Sequence, residues 1–273
     1  MVVSATDFAS REIALCDPGD ELTTVDKDGD SAWVAGTEAE ALVSLWLQFL
    51  SLWVVPQYGA LAAAFFLCGV TTTGFVETHF VAVAVEAGFS ITAGGLAFSV
   101  LSACNGLSMV LFGHLADKVN RHALLGVIFV GRAGAYFLLA GALAPGRVGV
   151  LFAFAVLFGV FNYSVVPPVV SLVHSWVPGS VGFGVGVLLL FHSVGAAVGA
   201  WAGGAAYSTW GGYHQALYAC AMLCLCAAGC CALMQWCAPH ERLWRALATS
   251  DDSEEEEEEK EEEEVDGQQA LHK

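Results

Sequence analysis

The chain has 273 residues, of which 56% are hydrophobic and 14% are charged. This balance is too apolar for a soluble domain of that length and indicates a membrane protein. The formal net charge of −17 comes from the two ends, because residues 1–40 hold ten acids and two bases and residues 251–273 hold thirteen acids and two bases. Residues 41–250 hold four acids and six bases, so the acidity gives no indication of nucleic-acid binding.

The chain begins with an acidic tail. Residues 1–40 show no apolar periodicity and no secretory signal, so they are predicted to be disordered. Residues 41–55 are apolar, but fifteen residues of helix rise only about 22 Å, short of the roughly 30 Å core of a bilayer. Segment 41–56, which ends at Pro56, is therefore predicted to be an amphipathic helix in the membrane interface, with a seventh span as the alternative.

The centre of the chain consists of apolar stretches that are long enough for membrane-spanning helices. Six are predicted, over 59–85, 93–113, 122–142, 148–172, 181–204 and 215–237. The predicted fold is thus an all-α membrane protein with a six-transmembrane-helix bundle over 59–237. Beyond the bundle two more regions are predicted, a juxtamembrane segment over 238–250 and a disordered acidic tail over 251–273.

The basic residues next to the spans are unevenly distributed. One side of the predicted membrane carries Lys118, Arg121, Arg242 and Arg245, whereas the loops on the other side carry Arg147. Because basic loops stay in the cytosol, both termini are expected to be cytosolic.

Two further patterns concern the shape of the helices. The pair Pro167-Pro168 predicts a kink in the fourth span. In the fifth span Gly195, Gly199 and Gly203 recur every four residues, which favours close contact with another helix.

A short charged connection between the second and third spans reads Gly113-His-Leu-Ala-Asp-Lys-Val-Asn-Arg-His122. Within it Gly113 is expected to let two backbones approach closely. The carboxylate of Asp117 is expected to accept hydrogen bonds at a neighbouring helix start or to bind Arg121. Together with Lys118, these residues form a candidate cytosolic loop motif.

This connection resembles the loop signature of the major facilitator superfamily of transporters, Gly-x-Leu-Ala-Asp-Arg/Lys-x-Gly/Asn-Arg/Lys-Arg/Lys. It departs from that signature at the last position, where His122 replaces a base. In the first span, Cys68-Gly-Val-Thr-Thr-Thr-Gly-Phe-Val-Glu-Thr-His79-Phe is similar to helix 7 of bacterial members near the oxalate/monocarboxylate branch. The resemblance covers residues 59–237 and implies the C-terminal six-helix half of such a transporter.

Polar residues inside the spans are candidates for a solute site, because they are costly in a bilayer. Counting along the helices places Asn105, Arg132, Asn162, Tyr163 and His192 near the middle of their spans. The run Thr71-Thr72-Thr73-Gly74 is also central, at a point where the first span could unwind. Transporters built from repeats bind their substrates near this depth.

The resemblance implies that the first, second, fourth and fifth spans line the cavity. The residues then expected on the substrate or proton pathway are Thr73, Glu77, His79, Asn105, Asn162, Tyr163 and His192. Glu77 is either a coupling-proton site or a buried hydrogen-bonded acid, and His192 is either an interior histidine or a proton ligand. Arg132 lies on the span that corresponds to peripheral helix 9, and it is either a structural residue or an anion contact. The resemblance to the oxalate/monocarboxylate branch implies a cavity base in the second or fifth span, and neither span contains Lys or Arg, which disfavours an organic anion as the solute.

The expected function is secondary active transport of a small solute, by rocking against a complementary six-helix bundle. Such transporters have twelve spans and this chain offers six, so three hypotheses stand. The chain is a partial transporter, a half-size protomer that pairs with an N-terminal half or a second copy, or a six-span scaffold or regulatory protein without transport activity. The expected partners are the lipid bilayer, the solute and the second bundle, with no nucleic acid.

No pattern in the sequence supports an enzyme, a cofactor or a metal site. There is no nucleophile–base pair and no phosphate-binding loop. The nine cysteines lie mostly in apolar runs without a C-x-x-C pair, so they are interpreted as small packing residues rather than a disulfide framework.

Overall fold

The structure is a computed structural model that describes residues 45–237. Seven helices of ten or more residues lie in that range: α1 Leu45–Val54, α2 Pro56–Glu86, α3 Ile91–Ala116, α4 Arg121–Ala142, α5 Val148–Trp176, α6 Val181–Trp210 and α7 His214–Cys237. Helices α2 to α7 have the length and apolarity needed to cross a membrane, which confirms the predicted six spans. The predicted tails over 1–40 and 251–273 and the juxtamembrane segment 238–250 lie outside the described residues.

Helix α1 leads directly into α2. A bend at Val55 separates the two helices, and Pro56 begins α2, where a missing N–H is tolerated. The ring of Trp53 makes edge contacts with Tyr58 and Phe191, at centroid distances of 6.2 Å and 5.8 Å. These contacts attach α1 to the bundle at the start of α2, while its place in the membrane interface stays a prediction.

Helices α2 and α6 pack backbone against backbone. A Cβ atom added at Gly195 would overlap the carbonyl oxygen of Phe66, and one at Gly199 would overlap the carbonyl oxygen of Val70. Both glycines are buried, as is Gly203 one turn further along α6. The predicted close-contact face of the fifth span is therefore confirmed.

Helix α2 widens into a π-helix over Val70–Val76. The N–H of Glu77 bonds to the carbonyl of Thr72, five residues back rather than four. The Thr72 hydroxyl in turn donates to the carbonyl of Cys68 at 2.7 Å, which satisfies a carbonyl beside the widened turn. The predicted irregularity at Thr71–Gly74 is thus present as a widening of the helix, and the expected unwinding does not occur.

Helix α5 breaks its regular hydrogen bonding just before its two prolines. Pro167 and Pro168 have no N–H to donate to the preceding turn, and a short 3₁₀ segment occupies Tyr163–Val165. The N–H of Val166 bonds to the carbonyl of Tyr163, three residues back, and not to the carbonyl of Asn162, four residues back. The break lies beside the prolines for which a kink was predicted, and the bend itself stays a prediction.

Two hydrophobic clusters fill the bundle, and a buried polar layer lies between them. One cluster contains Phe75, Leu101, Tyr136 and Phe158, and the other contains Cys68, Phe112, Phe129 and Val165. The buried polar residues that lie between these positions along their helices include Thr71, Thr72, Asn105, Arg132 and Asn162. This layer agrees with the common depth expected for the central polar residues.

Candidate functional site

The structure brings together some of the residues predicted for the solute pathway and separates the others. Glu77, Asn105 and Tyr163 line one cavity. His192 belongs to a buried network, and His79 bonds to a different part of α6. Two of the predicted residues contribute differently: the half-buried Thr73 accepts a hydrogen bond from the Thr78 hydroxyl at its carbonyl, and the Asn162 side chain is buried.

The cavity lies between α2, α3 and α5 and has a volume of about 400 Å³. Its lining residues are Glu77, Phe98, Leu101, Ser102, Asn105, Gly106 and Tyr163. The hydroxyl of Tyr163 donates to Oε1 of Glu77 at 2.9 Å. Both residues lie at an irregular part of their helices, since Glu77 comes directly after the π-helix and Tyr163 is the first residue of the 3₁₀ segment. The two irregularities thus place an exposed carboxylate and a phenol side by side.

Asn105 is a polar wall residue of this cavity with an unmet hydrogen bond. It is 6% exposed, and its Oδ1 atom has no hydrogen-bond partner among the described residues. Leaving such a group unpaired costs about 1–3 kcal/mol, so an orphaned amide in a cavity wall needs an explanation. The Oδ1 atom is itself buried, so a solute in the cavity would supply one only after the amide group turns toward it.

Arg132 is fully buried and binds the break in α5. Its Nε atom donates to the carbonyl of Phe161 at 2.8 Å, and a second guanidinium nitrogen donates to the carbonyl of Asn162. The third nitrogen donates to Sγ of Cys68 at 2.9 Å, and the guanidinium lies 5.1 Å from the centre of the Phe129 ring. This geometry favours the structural alternative for Arg132 over the anion contact.

The hydrogen bonds around Arg132 and Cys68 continue through Thr72 to His192 on α6. The hydroxyl proton of Thr72 is used in its bond to the Cys68 carbonyl, so the Thr72 oxygen accepts from Nε2 of His192 at 3.4 Å. The sequence interpretation missed Cys68 and read it as a packing residue. No signal in the sequence could have shown this contact, because Arg132 lies 64 residues away on another helix.

His79 connects α2 to α6 and to the loop before α7. Its Nε2 atom donates to the carbonyl of Ala200 at 2.9 Å, so its Nδ1 atom accepts from the Tyr213 hydroxyl at 3.3 Å. The carboxylate of Glu86 accepts from the backbone N–H of Tyr213 at 3.1 Å. Burial, and next the Glu86 carboxylate, raise the pKa of the Tyr213 phenol above its ordinary value. Both ring nitrogens of His79 are occupied, and its place on the pathway stays a prediction.

The loop motif differs from expectation in two respects. Asn120, and not Asp117, caps the start of α4. The Oδ1 atom of Asn120 accepts from the N–H groups of His122 and Ala123. Asp117 lies three residues earlier, directly after the last residue of α3. The exposed Asp117 carboxylate has no hydrogen-bond partner within residues 45–237.

Gly113 faces a side chain of α5 rather than a helix backbone. A Cβ atom there would lie 3.8 Å from the ring of Pro167, an ordinary contact, so this bundle does not require glycine. The bases Lys118 and Arg121 lie in the loop and at the start of α4.

Helices α3 and α6 are the least covered of the six spans. In their most apolar stretches 28% of the residues are buried inside the bundle, against 67% in α2. Their uncovered faces carry large apolar side chains, including Leu107, Val110, Leu190 and Trp201. Lipid or another protein would have to cover these faces.

Comparison with known proteins agrees with this architecture. A search of curated proteins found no match. A family model described as Major Facilitator Superfamily matches residues 61–261, which reach into all six spans. The match does not resolve the oxalate/monocarboxylate branch, which stays a prediction. This multi-pass membrane protein therefore belongs to the Major Facilitator Superfamily, whose members transport small solutes across membranes.

Proposed function

We propose that this chain transports a small solute as one six-helix half of a secondary active transporter, with Glu77, Asn105 and Tyr163 contributing to the solute site. The cavity that these three residues line is the observation that carries the proposal. It lies in the polar layer of the bundle, and it combines a carboxylate with an amide oxygen that has no partner among the described residues. A cavity of about 400 Å³ falls within the range of small-molecule sites.

A second six-helix bundle, on whichever chain it lies, is part of the proposal. Glu77 is exposed on the surface of this bundle, where direct contact of a carboxylate with lipid would cost several kcal/mol. A partner packed against α3 and α6 would cover their apolar faces and enclose the cavity. The same partner would allow the site to open to each side of the membrane in turn.

Energy coupling is the third part of the proposal. Glu77 and His192 are titratable groups close to the polar layer, and we propose that one of them takes a coupling proton. Uptake driven by an imposed pH gradient would then be lost in Glu77→Gln or in His192→Asn. Undiminished gradient-driven uptake in both variants would contradict this part.

The transport proposal is tested with the full chain, purified gently enough to retain an associated bundle and reconstituted in liposomes. Saturable uptake is measured for a panel of labelled solutes that contains amines, polyols, amino acids and carboxylates. Asn105→Leu is expected to remove saturable uptake, because it replaces the orphaned amide in the cavity wall. Ser99→Ala is the matched control on α3, since the Ser99 hydroxyl is exposed outside the cavity and bonds to its own helix. Absence of saturable uptake for the whole panel would favour the scaffold alternative.

A further inference from the structure

The charge of the cavity wall bears on the class of solute. Among the described residues that line the cavity, Glu77 is the charged one, and neither Lys, Arg nor His contributes. The guanidinium of the fully buried Arg132 already donates hydrogen bonds to the carbonyls of Phe161 and Asn162 and to the sulfur of Cys68. An anionic solute in this cavity would therefore meet a carboxylate without a compensating base from this bundle.

The hydrogen-bonding groups of the cavity wall also favour one kind of solute, a hydrogen-bond donor. The proton of the Tyr163 hydroxyl is used on Glu77, and the proton of the Ser102 hydroxyl is used on the carbonyl of Phe98 at 3.0 Å. Both hydroxyl oxygens keep lone pairs, so they are available as acceptors. The Asn105 amide oxygen also lacks a donor, and a half-turn of the amide group exchanges the positions of its oxygen and nitrogen. A solute that donates several hydrogen bonds fits this wall.

The remaining lining also suits a cation. Phe98 and Tyr163 present aromatic rings, and Leu101 and Gly106 complete an apolar surface. Aromatic faces attract ammonium groups, and the attraction is larger where water is excluded. A primary ammonium group has three donors and one positive charge, which matches the carboxylate and the free acceptors.

From this lining we propose that the solute is an organic amine bound as its ammonium form, with the ammonium group against Glu77 and its carbon skeleton against Phe98 and Leu101. This inference rests on the transport proposal above and narrows it to one solute class. It also differs from the oxalate/monocarboxylate resemblance, which would require an anion.

The test uses three probes that share one ring and differ in charge: benzylamine, benzyl alcohol and benzoate. Binding to the full chain in nanodiscs is measured by equilibrium dialysis, and empty nanodiscs correct for partition into lipid. Benzylamine is expected to bind about tenfold or more tightly than either of the other probes, as for a charge-assisted hydrogen bond. Equal or tighter binding of benzyl alcohol or benzoate would overturn the inference.

Substitutions in the cavity wall test whether the preference for benzylamine arises in the cavity. Glu77→Gln is expected to abolish the preference for benzylamine, while Glu77→Asp keeps part of it. Glu86→Gln is the matched control, since Glu86 is an exposed carboxylate of the same helix that bonds to Tyr213 outside the cavity. Asn105→Asp adds a second carboxylate to the wall and is expected to strengthen benzylamine binding, which gives an independent result where Glu77→Gln does not fold. A preference that survives Glu77→Gln, or that Asn105→Asp leaves unchanged, would overturn the inference.

The two proposals fail in distinguishable ways. A preference for benzoate that depends on Asn105 would refute the amine class and leave the cavity as a solute site. A Glu77-dependent preference for benzylamine in a chain that moves no solute would support the binding site and refute transport.

Discussion

Arg132 and Cys68 are joined by a hydrogen bond of 2.9 Å between a guanidinium nitrogen and the cysteine sulfur. This bond connects α4 to α2, and the other two nitrogens of the same guanidinium connect α4 to the broken turn of α5. The carbonyls of Phe161 and Asn162 lie just before the 3₁₀ segment that precedes the two prolines, and Arg132 donates to both of them inside the bundle. The prolines and the buried arginine therefore form one structural unit.

Replacing Arg132 should consequently destabilise the bundle. Arg132→Met keeps much of the side-chain volume but leaves the carbonyls of Phe161 and Asn162 without their donor. At about 1–3 kcal/mol for each of the two carbonyls, the expected loss is about 2–6 kcal/mol of unfolding free energy. Thermal unfolding in nanodiscs measures it, with Arg147→Met as the control because Arg147 is exposed in a loop. Equal melting temperatures for the two variants would contradict the structural role.

The glycines of α6 provide a second test of packing. Gly199→Ala should destabilise the bundle by about 1–3 kcal/mol, since its new methyl group would overlap the Val70 carbonyl and force α2 and α6 apart. Gly204→Ala is the matched control on the same helix, because a Cβ atom there has no neighbour within 4 Å among the described residues. That variant should be neutral or slightly stabilising, as alanine is the better helix former. The melting temperatures of both variants in nanodiscs decide the matter, and a Gly199→Ala protein as stable as the control would exclude tight α2–α6 packing.

The spans were predictable from the sequence because their signal is local. An apolar run of about 20 residues marks a span whichever way the helix faces, and the six predicted ranges differ from the observed helices by a few residues at most ends. The Pro167-Pro168 break and the Gly195–Gly203 face were likewise predictable, since each depends on the backbone of its own helix.

The grouping of the polar residues was not predictable. In water an apolar stripe shows which helix face is buried, but a membrane helix is apolar on its lipid face as well. The π-helix over Val70–Val76 then adds a residue to a turn, so regular 3.6-residue counting misplaces every side chain after it, Glu77 and His79 included. The contact between Arg132 and Cys68 was unpredictable for a related reason. The direction in which the Cys68 side chain points depends on the rotation of α2 about its axis relative to α4.

The loop motif gives a prediction about conformational change. Asp117 is exposed and lacks a partner within residues 45–237, so Asp117→Asn should leave the melting temperature of the bundle unchanged. We expect its carboxylate to bind a helix start or a base of the second bundle, a charge-assisted bond of about 1.5–3 kcal/mol that would favour one conformation. Cysteine probes near the loop should therefore label at altered rates in Asp117→Asn. Asn120→Ala is the comparison, since loss of its cap should cost about 1 kcal/mol of stability. Unchanged labelling from both sides of the membrane would refute this role of the Asp117 carboxylate.

Topology is tested with glycosylation acceptors. Both termini are expected to be cytosolic, because the sequence predicts Lys118, Arg121, Arg242 and Arg245 for one side of the membrane and Arg147 for the other. An acceptor inserted near residue 20 and another near residue 270 should both stay unmodified in an expressing cell. Modification of the N-terminal acceptor alone would show that the segment over 41–55 crosses the membrane as a seventh span.

The last prediction is that the chain does not transport as a monomer. In a lone bundle the exposed Glu77 carboxylate would meet lipid, and six helices alone offer no second wall that could close the cavity on alternate sides. Transport-competent particles should therefore contain a second bundle, either another copy of this chain or a separate N-terminal half.

Single-molecule photobleaching of a labelled chain in nanodiscs counts the copies in each particle, and uptake into liposomes made from the same preparation measures activity. A second copy predicts two bleaching steps, whereas a separate half predicts one step together with an additional six-span polypeptide that mass spectrometry detects in the active fraction. Glu77→Gln is informative here as well, since removing the charge lowers the cost of lipid contact and should raise the share of particles that hold one bundle. Specific uptake from one-step particles that lack any other polypeptide would show that six helices suffice and that the second bundle is not needed.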